Sequence, residues 1–240
     1  MIRVVTFDAV GTLIRLQRPP GFVYSDVAQE FGYSLDPERV QNAFRSVWKT
    51  FPPPEESDGP NPDDDRNWWR DLVAATIAEA RYSIEPFDHY FASVYESFTF
   101  RGVWEIFPDI PGVLAELRRL AVRLGIISNF DRRLYRILED LNVRTAFEHL
   151  AISSEIGVRK PARRIFQAAA QQFNVKPDEV LHIGDESEAD FDGARSAGFN
   201  ALLLDGKRQN LSKILFLCDE AVEKPISRSL PLKDLGQERC

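Results

Sequence analysis

The sequence is poor in cysteine and has no long apolar run. Its 240 residues include two cysteines, Cys218 and Cys240, so we expect a reducing compartment and no disulfide framework. No apolar segment approaches the roughly 18 residues of a membrane span, and strand-like residues begin at Ile2 without a charged leader and an apolar h-region. We therefore predict a cytoplasmic protein that is neither secreted nor embedded in a membrane.

An excess of positive charge is also missing. Lys and Arg number 30 against 37 Asp and Glu, which gives a formal net charge of −7. This balance argues against non-specific binding to nucleic acid or anionic membranes, and an anionic small molecule would need a local cationic site. With 44% hydrophobic residues, the chain can bury a core and is long enough for one large or two modest domains. The composition indicates no oligomeric state.

The first stretch of the chain carries the first functional signal. Residues 2–7 form a β-branched, apolar run typical of a strand buried on both faces, and the run stops at Asp8. Gly11 and Thr12 then predict a sharp turn, which leaves Asp8 facing the crevice where open α/β folds bind ligands. A buried carboxylate is costly unless chemistry or a cation uses it. The alternative is that Asp8 only caps the turn.

The segment 15–100 is predicted to be a helical insert with helices at 22–31, 38–48, 66–81 and 87–98. The residues Pro19–Gly21 and the N-cap pair Asp36 and Pro37 introduce the first two, and apolar residues recur at helical spacing in the last two. Between the second and the third, the proline-rich acidic segment 52–65 predicts a solvated loop. Aromatic side chains of the insert could line a substrate pocket, but at helical spacing we favour core packing for them. They are Trp48, Trp68, Trp69, Phe91 and Tyr95.

Strands alternate with helices in the rest of the chain. Four further strands are predicted, at 122–127, 150–152, 180–183 and 201–204, with helices between them. The last of these helices is expected at 190–197. This alternation predicts an α/β fold with a parallel sheet and right-handed crossovers.

Three of the predicted strands end in polar residues, which are Asp8, Ser128 and Asp185. Lys160 opens a neighbouring helix. In a parallel sheet these positions lie along one edge, so two carboxylates, a hydroxyl and an ammonium can converge. Each residue has an ordinary structural explanation, as a helix cap, a surface charge or a turn, but their shared order and spacing favour one common site.

Four short motifs in this order resemble those of the haloacid dehalogenase (HAD) superfamily of hydrolases. They are Phe7–Leu13 for the nucleophile motif, Ile127–Asn129 for the second, Lys160–Pro161 for the third and Gly184–Asp190 for the fourth. The resemblance covers the whole chain. It implies a Rossmann-like parallel core at 1–14 and 105–240, with an all-helical cap domain inserted at 15–104 that closes over the site.

Asp8 is the candidate nucleophile, because an Asp carboxylate can attack phosphorus or an activated carbon and form a covalent intermediate that water later hydrolyses. A phosphate that approaches Asp8 and Asp185 meets like charge, so a divalent cation is needed. Mg²⁺ suits a site of oxygen ligands, and both carboxylates would bind it. The sequence thus favours a Mg²⁺-dependent phosphatase that acts on a small phosphomonoester.

The resemblance implies further roles in the same site. The backbone carbonyl of Val10 would be a third metal ligand. Ser128 and Asn129 would bind the phosphoryl group, and Lys160 would bind substrate and neutralise charge. Two acidic residues would orient the ligands and fix the lysine, namely Glu186 and Asp190.

Val10 departs from the phosphatase pattern, in which a second Asp two residues after the nucleophile acts as general acid and base. Val cannot transfer a proton, and the loss of such assistance typically costs about 10²–10⁴ in rate. Three hypotheses remain: a phosphatase that is slow or uses another acid such as Glu186, a 2-haloacid dehalogenase, or a non-catalytic HAD-fold binding protein. Dehalogenases also lack the second Asp, but they need no metal and do not usually carry an acid like Asp185.

Overall fold

The computed structural model of the protein describes residues 1–99 and 102–204. The predicted core reaches residue 240, and its part from 205 onward, with Cys218 and Cys240, lies outside the described residues. Seven strands are described. In chain order they are β1 (Val4–Phe7), β2 (Ile14–Leu16), β3 (Trp104–Ile106), β4 (Arg123–Ser128), β5 (His149–Ile152), β6 (Val180–Gly184) and β7 (Asn200–Leu203).

Five of the strands form one parallel sheet in the order β5-β4-β1-β6-β7. β1 lies at the centre, where Val4 pairs with Arg123 of β4 and Val180 of β6. All residues of β1 are buried, as expected for a parallel strand covered on both faces. The strand order reverses between β1 and β6, and open α/β sheets form their ligand crevice at such a reversal. The predicted α/β class with a Rossmann-like parallel sheet is therefore confirmed.

Nine α-helices lie in the described residues. They are α1 (Pro20–Glu30), α2 (Pro37–Thr50), α3 (Arg66–Glu79), α4 (Phe87–Ser97), α5 (Ile110–Arg119), α6 (Arg133–Asp140), α7 (Ser153–Ile156), α8 (Arg163–Phe173) and α9 (Gly193–Ser196). The start of α2 shows how the sequence specifies a helix end. Asp36 accepts hydrogen bonds from the N–H groups of Glu38 and Arg39, and Pro37 occupies the first helical position. None of the described helices is long and apolar enough to cross a membrane.

The segment after β6 departs from the regular helix predicted at 190–197. Residues Ser187–Asp192 form a π-helical turn, and the short α9 follows it. The N–H groups of Asp190 and Phe191 both bond to the carbonyl of Glu186, at 3.0 and 3.3 Å. Such widened turns are frequent at functional sites. Here the turn directs the Asp190 side chain back toward His182 of β6.

The insert leaves and rejoins the sheet through two strands that pair with each other. β2 and β3 are antiparallel, and Leu16 lies opposite Trp104. The sequence predicted helices alone for this insert and missed the pairing, because paired residues such as Arg15 and Glu105 lie 90 positions apart and give no local signal. Both predicted domain boundaries, after residue 14 and before residue 105, fall inside these strands.

Helices α1 to α4 pack around a hydrophobic core of their own. Tyr24, Val40, Ile77 and Tyr90 are among its buried members. The hydroxyl of Tyr90 donates to the carbonyl of Tyr24 at 3.0 Å, which satisfies a polar group inside this core. A separate core is what an inserted domain needs, and we retain the division into core and cap as a proposal.

The acidic loop between α2 and α3 is solvated only in part, since half of residues 52–65 are exposed as predicted and others pack on the core. Asp65 is buried, and the Asp64 carboxylate accepts a hydrogen bond from Ser154 Oγ at 2.6 Å. The N–H of Ser57 donates to the carbonyl of Gly157 at 2.7 Å. The loop therefore packs on the segment around α7. The partners of Asp64 and Ser57 in these two hydrogen bonds lie about 90 to 100 residues later in the chain, so no local sequence pattern predicts the contacts.

Candidate active site

The carboxyl ends of β1 and β4 bring the predicted catalytic residues together. Lys160 Nζ donates to Asp8 Oδ1 and to Asp190 Oδ1, both at 2.6 Å. Ser128, the last residue of β4, donates from Oγ to Asp8 Oδ1 at 3.3 Å. All four side chains are buried. The structure thus places Asp8, Ser128 and Lys160 in one hydrogen-bonded group, as the strand-end positions predicted.

Three carboxylates form an oxygen cluster at this edge of the sheet. One oxygen each of Asp8, Asp185 and Asp190 lies within 4.8 Å of the other two. Thr12 Oγ1 donates to Asp185 Oδ1 at 3.0 Å, which fixes that side chain. A set of carboxylate oxygens is the kind of donor set that hard divalent cations such as Mg²⁺ prefer, so the residues present fit the ion.

Gly11 permits the close approach of Asp185 to the turn after β1. Its φ of +93° lies in the left-handed region that favours glycine. A Cβ at this position would collide with the Asp185 carboxylate. The turn therefore needs glycine both for its backbone conformation and for the space that Asp185 occupies.

The buried charges shift one another's pKa values. Burial raises the pKa of Asp8 to about 7, against the opposing effect of the Lys160 ammonium. Burial also tends to raise the pKa of Asp190, but the hydrogen bond to His182 and the charge of Lys160 outweigh it and lower this pKa. Burial also disfavours the charged form of Lys160, yet the two carboxylates raise its pKa. The single ammonium of Lys160 thus pairs with two carboxylates, and the cluster keeps a negative charge that favours binding of a cation.

Two residues of this network were not predicted from the sequence. Thr6 and His182 are neighbours on β1 and β6, and Thr6 Oγ1 lies 3.0 Å from His182 Nδ1. His182 Nε2 lies 3.1 Å from Asp190 Oδ1. Burial lowers the pKa of His182, which favours a neutral ring that orients Asp190 through this hydrogen bond. The available signal was a single polar residue inside each of two otherwise apolar strands.

The other predicted residues surround this centre. Asn129 exchanges two hydrogen bonds with the Lys160 backbone, from Nδ2 to the carbonyl at 3.1 Å and from the N–H to Oδ1 at 2.7 Å. It therefore positions Lys160, a role that the sequence did not indicate. Glu186, whose pKa is raised by burial, lines the cavity that opens on Asp8. Val10 lines the same cavity with 39% of its surface exposed.

This cavity has a volume of about 580 Å³ and extends from Asp8 into the helical insert. We call one group of its lining residues the aromatic wall, defined as Phe44, Trp48, Phe51, Trp68 and Trp69. The rings touch one another. Trp48 stacks on Trp69 with ring centroids 6.3 Å apart, and Trp68 meets Trp69 edge-on at 4.8 Å. The site therefore joins a charged end at Asp8 to an aromatic end in the insert.

The prediction of plain core packing for the aromatic stripe was wrong in part. All five residues of the predicted stripe line the cavity, namely Trp48, Trp68, Trp69, Phe91 and Tyr95. Phe91 and Tyr95 also belong to the buried core of the insert. Trp48 is 50% exposed and lies outside that core. Helical spacing identifies the apolar face of a helix, but it does not tell whether that face meets another helix or a cavity.

An ion pair next to the site ties the sheet to the insert. The guanidinium of Arg133 donates to both carboxylate oxygens of Asp131, at 2.8 and 2.6 Å. Asp131 Oδ2 also accepts from Trp69 Nε1 at 2.9 Å, and Arg133 donates to the carbonyl of Tyr95 at 3.2 Å. Because its partner neutralises it, Arg133 serves to position the aromatic wall rather than to attract an anion.

Sequence comparison identifies relatives that share most of the chain. The family model described as haloacid dehalogenase-like hydrolase matches residues 2–198. The human (Homo sapiens) haloacid dehalogenase-like hydrolase domain-containing protein 3 is 32% identical over 213 residues, which cover 85% of this chain and 82% of the human protein.

Solved structures share the fold at lower identity. The putative HAD-hydrolase YfnB from Bacillus subtilis, bound to magnesium, has a TM-score of 0.71 and 16% identity, over 91% of this chain and 99% of its own. The L-2-haloacid dehalogenase from Xanthobacter autotrophicus, with chloropropionic acid covalently bound, has a TM-score of 0.63 and 20% identity, over 90% and 84%. Other structures at TM-scores of 0.61 to 0.63 include proteins named as a HAD phosphatase and as dehalogenases. The family match over residues 2–198 and the human relative agree with the four motifs, whose residues meet near the end of β1. The chain therefore belongs to the haloacid dehalogenase-like hydrolase family.

Proposed function

We propose that the chain is a Mg²⁺-dependent phosphatase that hydrolyses a phosphomonoester through a covalent intermediate on Asp8. The observation that carries the proposal is the setting of Asp8, which is hydrogen-bonded to Lys160 and Ser128 and clustered with Asp185 at the charged end of the cavity. A small-molecule substrate, a cytoplasmic location and a core-and-cap division belong to the same proposal.

The side chains around Asp8 have different roles in the proposed phosphoryl transfer. Lys160 and Ser128 both bond to Oδ1 of Asp8, which leaves Oδ2 for attack on phosphorus. The ammonium of Lys160 and the hydroxyl of Ser128 are then available to stabilise charge on the phosphoryl oxygens. Water hydrolyses the resulting aspartyl phosphate and regenerates Asp8.

Asp8, Asp185 and the backbone carbonyl of Val10 would hold the Mg²⁺. When bound, the ion supplies the positive charge that offsets repulsion between the carboxylates and the phosphate. Support comes from the oxygen cluster and from Gly11, which gives Asp185 its space. The magnesium bound to YfnB, a protein of the same fold, agrees with this assignment.

Two further acidic residues support the centre. Asp190 holds Lys160 at 2.6 Å and accepts the N–H of Glu186 at 3.0 Å, so it fixes both residues in place. Glu186 lines the cavity, and burial raises its pKa. It is our candidate for the base that activates water against the aspartyl phosphate, a role that Val10 cannot fill.

Val10 favours a second candidate function, a 2-haloacid dehalogenase in which Asp8 would displace halide from carbon. That reaction needs no general acid, because halide leaves without a proton. The position of Asp185 beside Asp8 supports the phosphatase instead, because the two carboxylates can bind a cation that offsets the charge of a phosphate, whereas a dehalogenase uses no metal and Asp185 would only repel the haloacid. A non-catalytic binding role ranks third, because the nucleophile, the lysine and the acidic cluster are all in place.

The test is a screen of the purified protein with phosphomonoesters and 2-haloacids, in Mg²⁺ and in excess chelator. We expect phosphate release that requires Mg²⁺ and that is lost in Asp8→Asn, whose side chain keeps the shape but not the nucleophilic charge. Asp58→Asn, which changes an exposed acid of the loop 52–65, serves as the control and should keep full activity. Halide release would establish the dehalogenase, undiminished phosphate release in chelator would contradict the metal dependence, and no turnover of either class would leave the binding role.

A further inference from the structure

We infer that the phosphatase proposed above acts on aryl phosphates, the phosphomonoesters of phenols, and that the ring of the substrate lies against the aromatic wall. The inference rests on the proposed function and adds the chemical class of the leaving group. Two independent features carry it: the side chain at position 10 and the lining of the cavity.

The first feature is the absence of a proton donor at Val10, which is exposed to the cavity beside Asp8. An alkoxide that departs without a proton loses about 10²–10⁴ in rate relative to an assisted reaction. A phenol has a pKa of about 10, as the Tyr side chain does, whereas water, to which an alcohol is comparable, has about 15.7. A phenolate is therefore stable enough to leave a site that has Val at this position.

The second feature is the size and shape of the cavity. Its volume of about 580 Å³ lies in the range of roughly 300–1,000 Å³ that buries drug-sized ligands, and a small ester would leave much of it unfilled. Trp48 stacks with Phe44 and with Trp69, at interplanar angles of 24° and 25°. Trp48 is 50% exposed, so an aromatic ring can pack on this surface without displacing the core.

The charges of the lining separate aryl phosphates from nucleoside polyphosphates, which also have good leaving groups. Among the described lining residues the cations are Arg133, Arg159 and Lys160. Arg133 is neutralised by Asp131, and Lys160 by its two carboxylates. Within residues 1–99 and 102–204, the Arg159 side chain makes no hydrogen bond and no ion pair within 4 Å, but the charges of Asp65, Glu186 and Glu56 act on it. One guanidinium among these acids does not balance a polyphosphate, so the lining favours a substrate with a single phosphate and an apolar ring.

The proposed reaction balances without any co-reactant besides water. An oxygen of Asp8 forms a bond to phosphorus as the bond between phosphorus and the ring oxygen breaks. The electron pair of the broken bond stays on that oxygen, so the first product is a phenolate, which takes a proton from solvent. Water then attacks the aspartyl phosphate and gives up a proton, and inorganic phosphate leaves as the Asp8 carboxylate is regenerated.

The experiment compares kcat/KM for three phosphate esters and one acyl phosphate in saturating Mg²⁺: phenyl, 2-naphthyl and benzyl phosphate, and acetyl phosphate. Benzyl phosphate keeps the ring but has an alkoxide leaving group, and acetyl phosphate has a good leaving group but no ring. We expect phenyl and 2-naphthyl phosphate to exceed benzyl phosphate by about 100-fold or more. We also expect phenyl and 2-naphthyl phosphate to exceed acetyl phosphate in kcat/KM through a lower KM, because their rings fill the aromatic end of the cavity and the acetyl group does not.

Variants of the wall test the position of the ring. Trp48→Leu should lower the 2-naphthyl to acetyl ratio of kcat/KM by about tenfold, and Phe51→Leu serves in its place if that variant does not fold. Tyr82→Leu, which changes an aromatic residue of the insert outside the cavity, should leave the ratio unchanged. The inference would be overturned if benzyl phosphate reacted as fast as phenyl phosphate, or if the 2-naphthyl to acetyl ratio stayed the same in the wall variants. The proposed phosphatase activity would stand in either case. Failure of the folded wild-type protein on all four compounds would overturn the proposed function itself.

Discussion

In the proposed phosphatase, Val10 should limit which leaving groups the site can release, and the substitution Val10→Asp tests this directly. A carboxylic acid at this exposed position would reach the cavity, while the backbone carbonyl stays in place. We expect hydrolysis of an alkyl phosphate to rise by a factor approaching 10²–10⁴, typical of acid–base assistance. An aryl phosphate should gain less at the transfer step, because its departing oxygen scarcely needs a proton. Steady-state kinetics on the two esters measures the difference.

Val10→Asn is the matched control, since it has the size of the Asp variant without an acidic proton. It should hydrolyse the alkyl ester at the wild-type rate. Equal rates for the Asn and Asp variants would show that position 10 does not govern protonation. Circular dichroism must show that both variants are folded, because a new acid beside Asp8 and Asp185 adds like-charge repulsion.

The residues that could be predicted from the sequence are those whose position in a parallel sheet follows from the strand pattern. Asp8, Ser128 and Asp185 end strands, so one rule of sheet geometry brings them to the same edge. Thr6 and His182 lie inside strands, and their contact depends on which strands are neighbours. Strand order is a property of the folded sheet, and it could not be derived from the separate motifs.

The turn after β1 is an element that a single methyl group should disable. Gly11→Ala places a Cβ against the Asp185 carboxylate, whereas Gly32→Ala, at a φ of +81°, meets nothing within 4 Å. Both substitutions put Ala in the left-handed region and should each cost about 1–2 kcal/mol of unfolding free energy. Only Gly11→Ala should also lose Mg²⁺ affinity, which denaturant unfolding and titration calorimetry would measure together. Equal Mg²⁺ affinity in the two variants would contradict the role of Gly11.

The contact between the acidic loop and α7 makes a second prediction at the scale of elements. Ser154 Oγ crosses to Asp64, while the neighbouring buried Ser153 Oγ bonds to the carbonyl of Phe130. Ser154→Ala and Ser153→Ala should each lower the free energy of unfolding by about 1 kcal/mol, because each removes one side-chain hydrogen bond. Only Ser154→Ala should speed hydrogen exchange in the segment 57–65. Identical exchange in both variants would show that this bond does not hold the loop.

Elements were predictable where their cause is local. The start of α2 is specified by Asp36 and Pro37, and the helices of the insert by apolar periodicity. The β2–β3 pair, the π-helical turn and the docked acidic loop have causes that lie far away in the chain. The aromatic wall is of the same kind, since each Trp has a helical position but the cavity arises only when the insert meets the sheet.

At the scale of the whole molecule, the acidic cluster should make stability depend on the metal. A ligand at 100 times its Kd adds about 2.7 kcal/mol, which corresponds to about 5–10 °C in Tm for a domain of this size. We expect Mg²⁺ to raise the Tm of the wild-type protein by this amount. Asp185→Asn should remove the increase and give a slightly higher Tm than wild type without metal, because it relieves repulsion within the cluster.

Asp178→Asn, in a turn remote from the site, is the control for the loss of one negative charge. It should keep the full Mg²⁺-dependent rise in Tm. Differential scanning calorimetry of the three proteins, with Mg²⁺ and with chelator, makes the comparison. A Mg²⁺ effect that survives in Asp185→Asn would place the ion elsewhere.

The pairing of β2 with β3 makes the helical insert exchangeable. Leu16 and Trp104 are opposite each other in an antiparallel pair, so the chain departs and returns at neighbouring points. Two such strands can be joined by a turn of only two residues. None of the five strands in the order β5-β4-β1-β6-β7 comes from the insert. The helical insert can thus be exchanged for another without a change in the register of any strand of this sheet, so the aromatic end of the cavity can change in evolution separately from the charged end at Asp8.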